Sequence, residues 1–343
     1  MRTLRLDLDS DALVENWRVL DRMSGSASTG AAVKAEGYGL GGRAVTEKLR
    51  EAGCSDFFVA HWTEARDILR ATSEAGISVL HGVGSNDLDL ASQMPAKPVI
   101  NSLAQAKVWI EAGGGLCDLM IDTGMFRLGL APEEVSDPLI GKLKIDICMS
   151  HLASADEDCA KNAAQQSAFS ALKDQVRAKR YSLANSAGIA LGSDYHFDLT
   201  RPGIAIYGGV VRPELCDNIR QVVYPKAAIL QTRDAPKGST LGYNGIYTAP
   251  HDMRLATISL GYADGYLRGF SNKGHVHLGG QDLPVVGRVS MDLTIIDITE
   301  ATDVGEGDWV DVDYSLPEAA AASGLSQYEL LTVLGSRFQR RWS

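Results

Sequence analysis

Eight short apolar segments recur along residues 31–208, separated by stretches with helical periodicity, and they constrain the fold more than any other feature. The eight segments are Ala31–Ala35, Asp56–Ala60, Ser78–Gly82, Pro98–Asn101, Asp118–Asp122, Ile145–His151, Tyr181–Ser186 and Ile204–Gly208. Strands that are apolar throughout and alternate with helices are typical of a parallel sheet covered by helices. Because eight such strands close a (β/α)8 TIM barrel, we predict an α/β fold of this kind, with a doubly wound open sheet as the alternative.

The pattern changes after Gly209, where helical periodicity gives way to short β-like runs broken by Gly, Asp, Asn and Pro. This change predicts a second, predominantly β domain. The alternating segment Leu4–Leu8 precedes the barrel, and we expect it to form a strand that joins the β domain. The predicted boundaries are 1–10 for this strand region, 11–215 for the barrel and 216–343 for the β domain.

Composition narrows the possible partners and the compartment. The 343 residues include 33 basic and 43 acidic side chains, a net charge of −10, which argues against nucleic acid or an anionic membrane as a partner. The five cysteines are odd in number and form no CxxC pair, so we expect reduced thiols and neither a disulfide framework nor a metal site. The sequence has neither a signal-peptide core nor an apolar run long enough to span a membrane, and we expect a cytoplasmic protein.

Polar residues that end the barrel strands are the candidates for chemistry, because active sites of such barrels lie at the carboxyl ends of the strands. Lys34 ends the first apolar segment. Burial lowers the pKa of a lysine and makes it a nucleophile, although a solvated strand end is the simpler interpretation. His61 and His81 end two further strands, and we interpret them as structural.

Three other segments suggest binding. Arg127 follows a strand and a glycine turn and can grip a carboxylate in bidentate fashion. The hydroxyl of Ser186 and the backbone amides of Gly203 and Ile204 form a plausible phosphate cradle late in the barrel. Tyr243 lies in a glycine-rich loop of the β domain. Each of these alone indicates only a turn.

Together, six segments closely resemble the signature segments of the alanine racemase family. In chain order they are Val33-Lys34-Ala35 with Tyr38-Gly39, Asp122–Gly129, Arg201–Ile204, Gly261–Gly265, Val286–Asp292 and Gln327–Leu330. The resemblance implies a pyridoxal 5'-phosphate enzyme of fold type III, with a barrel, a β domain and a head-to-tail homodimer. It also implies active sites shared between the subunits and a small amino acid as the substrate.

The resemblance also implies a role for each matching residue. Lys34 matches the lysine that carries the cofactor, and Arg201 matches the arginine that hydrogen-bonds the pyridine nitrogen. Lys34 and Tyr243 of the partner subunit would act as bases on opposite faces of Cα, with His151 hydrogen-bonded to the tyrosine. The remaining matches are Tyr38, Ser186, Gly203, Ile204 and Tyr328 for the phosphate, Arg127, Met291 and Tyr262 for the substrate, and Asp156, Arg268, Arg288 and Asp292 for the entrance.

Three positions depart from the family pattern. Met120 stands where the family often has a carbamylated lysine, Phe126 replaces the usual glycine beside Arg127, and Leu40 replaces a common histidine. A thioether cannot be carbamylated, so Arg127 must be positioned in another way.

The resemblance predicts interconversion of L-alanine and D-alanine, supplying D-alanine for peptidoglycan. The enzyme alternatives are a racemase of serine or another small amino acid, a broad-specificity racemase, and a decarboxylase of the same fold type. Decarboxylases typically pair the ring nitrogen with an acid, and Arg201 argues against that alternative. A cofactor-carrying barrel without turnover would lack the second domain and Tyr243.

Overall fold

The computed structural model describes residues 2–71, 76–301 and 303–343, and the chain divides into two compact units. One unit is the continuous segment Leu13–Arg220, and the other combines the residues up to Ala12 with Gln221–Ser343. No helix within these described ranges is both long and apolar enough to cross a membrane.

The chain begins with strand β1 (Leu4–Leu8) and helix α1 (Ser10–Ser24). Alternate residues of β1 are buried, as its period-two pattern predicts. The Asp9 carboxylate accepts a hydrogen bond from the Ala12 N–H at 2.8 Å, which caps the start of α1.

The first unit is built from short parallel strands joined by helices. Its strands are β2 (Ser28–Thr29), β3 (Ala31–Ala32), β4 (Asp56–Val59), β5 (Gly76–Val79), β6 (Ala96–Ile100), β7 (Leu116–Met120), β8 (Lys144–Met149), β9 (Arg180–Ser182) and β10 (Leu199–Thr200). Its helices are α3 (Gly42–Glu51), α4 (Trp62–Leu69), α5 (Leu88–Ala91), α6 (Leu103–Glu111), α7 (Ala160–Leu172) and α8 (Ser186–Ala190), and the single turn α2 (Lys34–Tyr38) is left-handed from Ala35 onwards. Strands β3 to β9 form one parallel sheet in sequential order, so the predicted barrel fold is confirmed.

The eighth barrel strand is β10, and the prediction that Ile204–Gly208 forms it was wrong. β10 pairs in parallel with β2, and the Asp198 N–H donates to the Tyr181 carbonyl at 3.0 Å on the β9 side. Ile204–Tyr207 is instead a buried 3-10 helix that ends at Gly208, whose φ of 94° is left-handed. A short, fully buried apolar run has no periodicity that separates a strand from a helix.

The amino-terminal halves of the barrel strands enclose charged side chains. Lys97 of β6 contacts Asp146 of β8 at 2.5 Å and Asp118 of β7 at 3.2 Å. Arg180, the first residue of β9, pairs with Asp56 at 2.7 Å and with Asp146 at 3.2 Å. These ion pairs join β4, β6, β7, β8 and β9 near the ends opposite to those where barrel active sites lie.

The second unit is predominantly β, as predicted. Its further strands are β11 (Val223–Ala235), β12 (Thr240–Leu241), β13 (Tyr247–Thr248), β14 (Met253–Ile258), β15 (His275–Leu278), β16 (Gln281–Pro284), β17 (Thr294–Asp297), β18 (Trp309–Val312) and β19 (Gln339–Trp342), and its helices are α9 (Leu316–Ser323) and α10 (Gln327–Thr332).

The long strand β11 organises this unit. Its first half pairs with β1 and β18, its second half pairs with β14, and the register shifts between Ile229 and Gln231. β1 also pairs in parallel with β19, so strands from both ends of the chain lie side by side in this sheet.

Candidate active site

Lys34 follows β3 after one intervening residue, at the carboxyl end of the barrel, and its side chain is partly buried. Burial and the neighbouring charge of Arg127 hold the pKa of the Lys34 amine below its usual range, while Glu64 opposes this shift. A lysine with a lowered pKa has a larger neutral fraction near neutrality, and the neutral amine is the nucleophile.

A set of hydroxyl and amide groups lies late in the barrel. The Ser186 hydroxyl accepts hydrogen bonds from the N–H of Gly203 at 2.9 Å and from the N–H of Ala205 at 3.3 Å. Since both lone pairs are used, the proton of Ser186 is available for an acceptor. A Cβ at Gly203 would overlap the Tyr38 hydroxyl, so glycine is required there, and the Tyr38 ring stacks on Tyr207.

Arg201 follows β10 and is buried in the barrel. Its guanidinium donates to the Ser182 hydroxyl and to the Ser150 carbonyl, the latter at 2.6 Å. Burial lowers its pKa to about 10, against an opposing effect of Asp118, so Arg201 stays charged near neutrality. Arginine cannot accept a hydrogen bond, and a group bound to its remaining N–H atoms must supply a lone pair.

His151 follows β8 and is close to three cations. Burial, reinforced by the charges of Arg201, Arg127 and Lys34, lowers its pKa to about 3. The imidazole is therefore neutral above about pH 4 and keeps one nitrogen as an acceptor.

A hydrogen-bond network that the sequence analysis missed supports this region. Gln165 of α7 donates to the His151 carbonyl at 3.0 Å and to the Thr123 hydroxyl at 3.4 Å. Thr123 shares a hydrogen bond of 2.7 Å with the Ser150 hydroxyl, and the Ser150 carbonyl holds Arg201. Ser150 could have been noticed because it precedes His151 at a strand end, but nothing in the sequence distinguishes Gln165 from other helical residues.

The loop that carries Arg127 is organised by Asp122. The Asp122 carboxylate accepts hydrogen bonds from the N–H of Gly124 at 2.8 Å, Met125 at 2.7 Å and Arg127 at 3.0 Å. Phe126 has a left-handed φ of 57° and is 93% exposed. The left-handed backbone explains why glycine suits this position.

In the second unit, Tyr243 begins a 3-10 turn between β12 and β13 and is 67% exposed. The preceding Gly242 lies against the backbone of Arg288, because a Cβ on it would be 3.7 Å from the Arg288 nitrogen. The loop that carries Tyr243 therefore lies beside the backbone of Arg288.

Three further predicted residues, Tyr262, Met291 and Arg268, lie in loops of this unit that contact each other. The Tyr262 N–H donates to the Ser290 carbonyl at 3.0 Å, and a Cβ at Gly261 would overlap the Met291 carbonyl. The Arg268 guanidinium lies 5.2 Å from the centroid of the Tyr262 ring.

Asp292 belongs to the same region, and its carboxylate pairs with Arg337 at 2.7 Å. Arg337 also pairs with the buried Asp264 at 2.6 Å, a contact that the sequence analysis missed. Of the two remaining predicted residues, Tyr328 lies on α10 and Asp156 is exposed between β8 and α7. The functional roles of all these residues remain predictions.

Two family models match consecutive parts of this chain. The N-terminal domain of alanine racemase matches residues 8–211, and the C-terminal domain of alanine racemase matches residues 222–342. The chain belongs to the alanine racemase family. The family predicted from the six sequence segments is confirmed.

Individual members of the alanine racemase family are similar over nearly the whole chain. A protein of Agrobacterium fabrum named alanine racemase, catabolic, is 41% identical over 98% of this chain and 91% of its own length. An alanine racemase of Cereibacter sphaeroides is 40% identical over 100% of this chain and 99% of its own. The crystal structure of alanine racemase from Bartonella henselae, with covalently bound pyridoxal phosphate, has a TM-score of 0.93 at 34% identity, covering 99% of both chains.

Proposed function

We propose that this protein binds pyridoxal phosphate through Lys34 and interconverts L-alanine and D-alanine. The observation that carries the proposal is the partly buried Lys34 amine at the carboxyl end of the barrel, whose pKa is lowered by burial and by Arg127. Membership of the alanine racemase family supports this assignment over the other chemistry open to a reactive lysine.

The donors late in the barrel fit a phosphate group. Ser186 has its hydroxyl proton available, and the Tyr38 hydroxyl lies over Gly203, where a side chain would leave no room for it. We propose that these hydroxyls bind the phosphate together with the backbone amide of Ile204 and the hydroxyl of Tyr328, while Gly203 leaves room for the Tyr38 hydroxyl and orients Ser186 through its N–H. Short neutral and backbone donors of this kind suit a phosphate oxygen.

Arg201 would bind the pyridine nitrogen. Its guanidinium is held by Ser182 and Ser150 and can only donate, so the nitrogen accepts a hydrogen bond and stays unprotonated. The bound cofactor supplies an electron sink that acidifies the α-hydrogen of an amino acid, and Arg201 keeps this sink weak. A weak sink favours the prompt return of a proton to Cα, which suits racemisation better than transamination.

Two bases would act on opposite faces of Cα. Lys34 serves one face, and Tyr243 of the partner subunit serves the other. The exposure of Tyr243 is consistent with a side chain that a second subunit covers. His151 is neutral because its pKa is about 3, so its ring nitrogen can accept a hydrogen bond from the tyrosine hydroxyl and draw that proton away, which leaves the tyrosine oxygen able to take the α-hydrogen.

The substrate carboxylate would be held by the Arg127 guanidinium and the Met291 N–H, beside Tyr262. The entrance would be lined by Asp156, Arg268, Arg288 and Asp292 in a homodimer. An amino acid with a side chain as small as that of alanine is the proposed substrate. Serine and other small amino acids are the second candidate, because Met120 and the exposed Phe126 alter the surroundings of Arg127.

We further propose that the product D-alanine is used for peptidoglycan and that the enzyme works in the cytoplasm. The five cysteines are all free, as expected where thiols stay reduced.

The function is tested by incubating the purified protein and pyridoxal phosphate with L-alanine, and separately with L-serine, in deuterated water. We expect optical rotation to fall and deuterium to enter Cα, first with alanine. Faster reaction with serine would favour the second candidate. Formation of pyruvate or of an amine in place of the opposite enantiomer would contradict racemisation.

A further inference from the structure

The backbone that follows Lys34 is left-handed over several consecutive residues. Ala35, Glu36 and Gly37 have φ/ψ values of 52°/50°, 55°/45° and 60°/47°, and Tyr38 has a φ of 54°. Non-glycine residues rarely adopt this conformation, and a run of them persists only where surrounding contacts hold it.

Backbone hydrogen bonds hold most of this turn. The Gly37 N–H donates to the Val33 carbonyl at 2.9 Å, and the Gly39 N–H donates to the Ala35 carbonyl at 2.8 Å. The Ala35 N–H has a different partner, the Glu64 carboxylate, at 2.7 Å. This N–H belongs to the peptide group that joins Lys34 to Ala35.

Glu64 also binds the end of the neighbouring strand. Its second carboxylate oxygen accepts from the Ala60 N–H at 2.7 Å and from the His61 N–H at 3.3 Å. Glu64 lies in the first turn of α4, and one carboxylate therefore joins that helix, the end of β4 and the peptide after Lys34. Hydrogen bonds to an ionised acceptor are stronger than neutral ones.

The same carboxylate contributes to the electrostatic surroundings of the amine. Arg127 disfavours the charged form of Lys34, and Glu64 favours it. His81, whose ring contacts that of His61 with centroids 4.1 Å apart, is affected by both Lys34 and Glu64. Beside Lys34, Arg127 and the two histidines, Glu64 supplies the negative charge.

We propose that Glu64 is a positioning residue for Lys34, which fixes the left-handed turn through the Ala35 amide and balances the charge of the amine. This role of Glu64 depends on the proposed function in one respect only, namely that Lys34 is the lysine that carries the cofactor. The geometry distinguishes Glu64 from an ordinary helix cap, because one of its oxygens binds a residue 29 positions earlier in the chain.

The test compares Glu64→Gln and Glu64→Asp with the unmodified full-length protein after removal of the cofactor. Two quantities are measured: hydrogen exchange of the peptide covering residues 31–42, and the pH at which Lys34 is half-acylated by acetic anhydride, followed by mass spectrometry. We expect about tenfold faster exchange at Ala35 in both variants, because each weakens a charge-assisted hydrogen bond. The half-acylation pH should fall in Glu64→Gln and stay near that of the unmodified protein in Glu64→Asp.

The matched control is Glu134→Gln. Glu134 also accepts a backbone N–H at the start of a helical turn, from Ala131 at 2.8 Å, but does not contact the Lys34 turn. The proposal is overturned if Glu64→Gln behaves like the unmodified protein, or if Glu134→Gln produces the same changes at Lys34. If Glu64→Gln does not fold, unchanged exchange at Ala35 in Glu64→Asp overturns it. Neither measurement requires turnover, so failure of racemisation is observed separately.

Discussion

At the scale of single residues, the proposed mechanism depends on two groups with different surroundings. Lys34 is partly buried beside Arg127, whereas Tyr243 is 67% exposed in a turn of the second unit. Residues of its own chain bury Lys34, and this burial lowers the pKa of its amine. Tyr243 acquires its proposed surroundings only when another subunit supplies the neutral His151.

Replacing Tyr243 by phenylalanine tests this division of roles. Tyr243→Phe should slow removal of the α-hydrogen from L-alanine by at least about 100-fold, with a smaller effect on D-alanine, because positioned bases contribute about 10²–10⁴-fold. Proton NMR in deuterated water measures the loss of the Cα signal from each enantiomer. Tyr247→Phe removes a hydroxyl from the same hairpin and serves as the control. Equal, mild effects on both enantiomers would contradict the two-base assignment.

At the scale of one element, the loop from Asp122 to Gly129 shows how this chain positions Arg127 although it has Met120 in place of a lysine. The Met120 side chain is buried, and the carboxylate of Asp122 holds the loop through backbone N–H groups. Burial alone would raise the pKa of Asp122, but the backbone hydrogen bonds outweigh it and hold the pKa below its usual range.

Asp122→Asn should loosen this loop and raise KM for alanine about tenfold, with a smaller change in kcat, because Arg127 would bind the substrate carboxylate in both ground and transition states. Steady-state kinetics measure this effect. Asp137→Asn is the control, since Asp137 accepts the Leu139 N–H at 2.8 Å in another loop. If Asp122→Asn lowered kcat and left KM unchanged, Asp122 would have no role in positioning Arg127 for substrate binding.

The lowered pKa of Asp122 also has a consequence for acid stability. A carboxyl group with a lowered folded-state pKa contributes stability above its unfolded pKa of about 3.9, and this contribution is lost as the pH falls through the folded value. The loop contribution should therefore be fully present at neutral pH and disappear only below about pH 4.

At the scale of the whole barrel, a buried charge network joins strands that are far apart in the chain. Asp118 is fully buried, and burial raises its pKa while Lys97 opposes the shift. Asp118 also accepts the Ser78 hydroxyl at 2.5 Å and the Ile147 N–H at 3.1 Å. These contacts lie on the strands themselves, so the network secures the sheet at whose carboxyl ends the candidate site lies.

Lys97→Met should lower the free energy of unfolding by about 3–5 kcal/mol, because it leaves the Asp118 carboxylate buried without a cation. Urea denaturation followed by circular dichroism measures the change. The double variant Lys97→Met/Asp118→Asn should recover part of the loss, since it removes the isolated charge. Lys107→Met is the control, because the Lys107–Glu111 pair is exposed and should contribute less than about 1 kcal/mol. A loss as small as that of the control would contradict the role assigned to the network.

The sequence by itself determined the alternating strand–helix order of the barrel and the change to a β domain. It also contains the six segments that indicate the alanine racemase family. These features are local: apolar periodicity reports which face of an element is buried, and signature segments place reactive residues at strand ends. The predicted polar groups Lys34, His151, Ser186 and Arg201 all lie after barrel strands for this reason.

Only the tertiary structure decided which residues complete the barrel and support the site. β10 has two residues, too few to show a period, and its identity depends on pairing with β2. The left-handed turn after Lys34 depends on Glu64, and the network of Lys97 and Asp118 joins separate strands. Contacts between residues distant in the chain are set by how strands align in space, and no local pattern of residue types encodes that alignment.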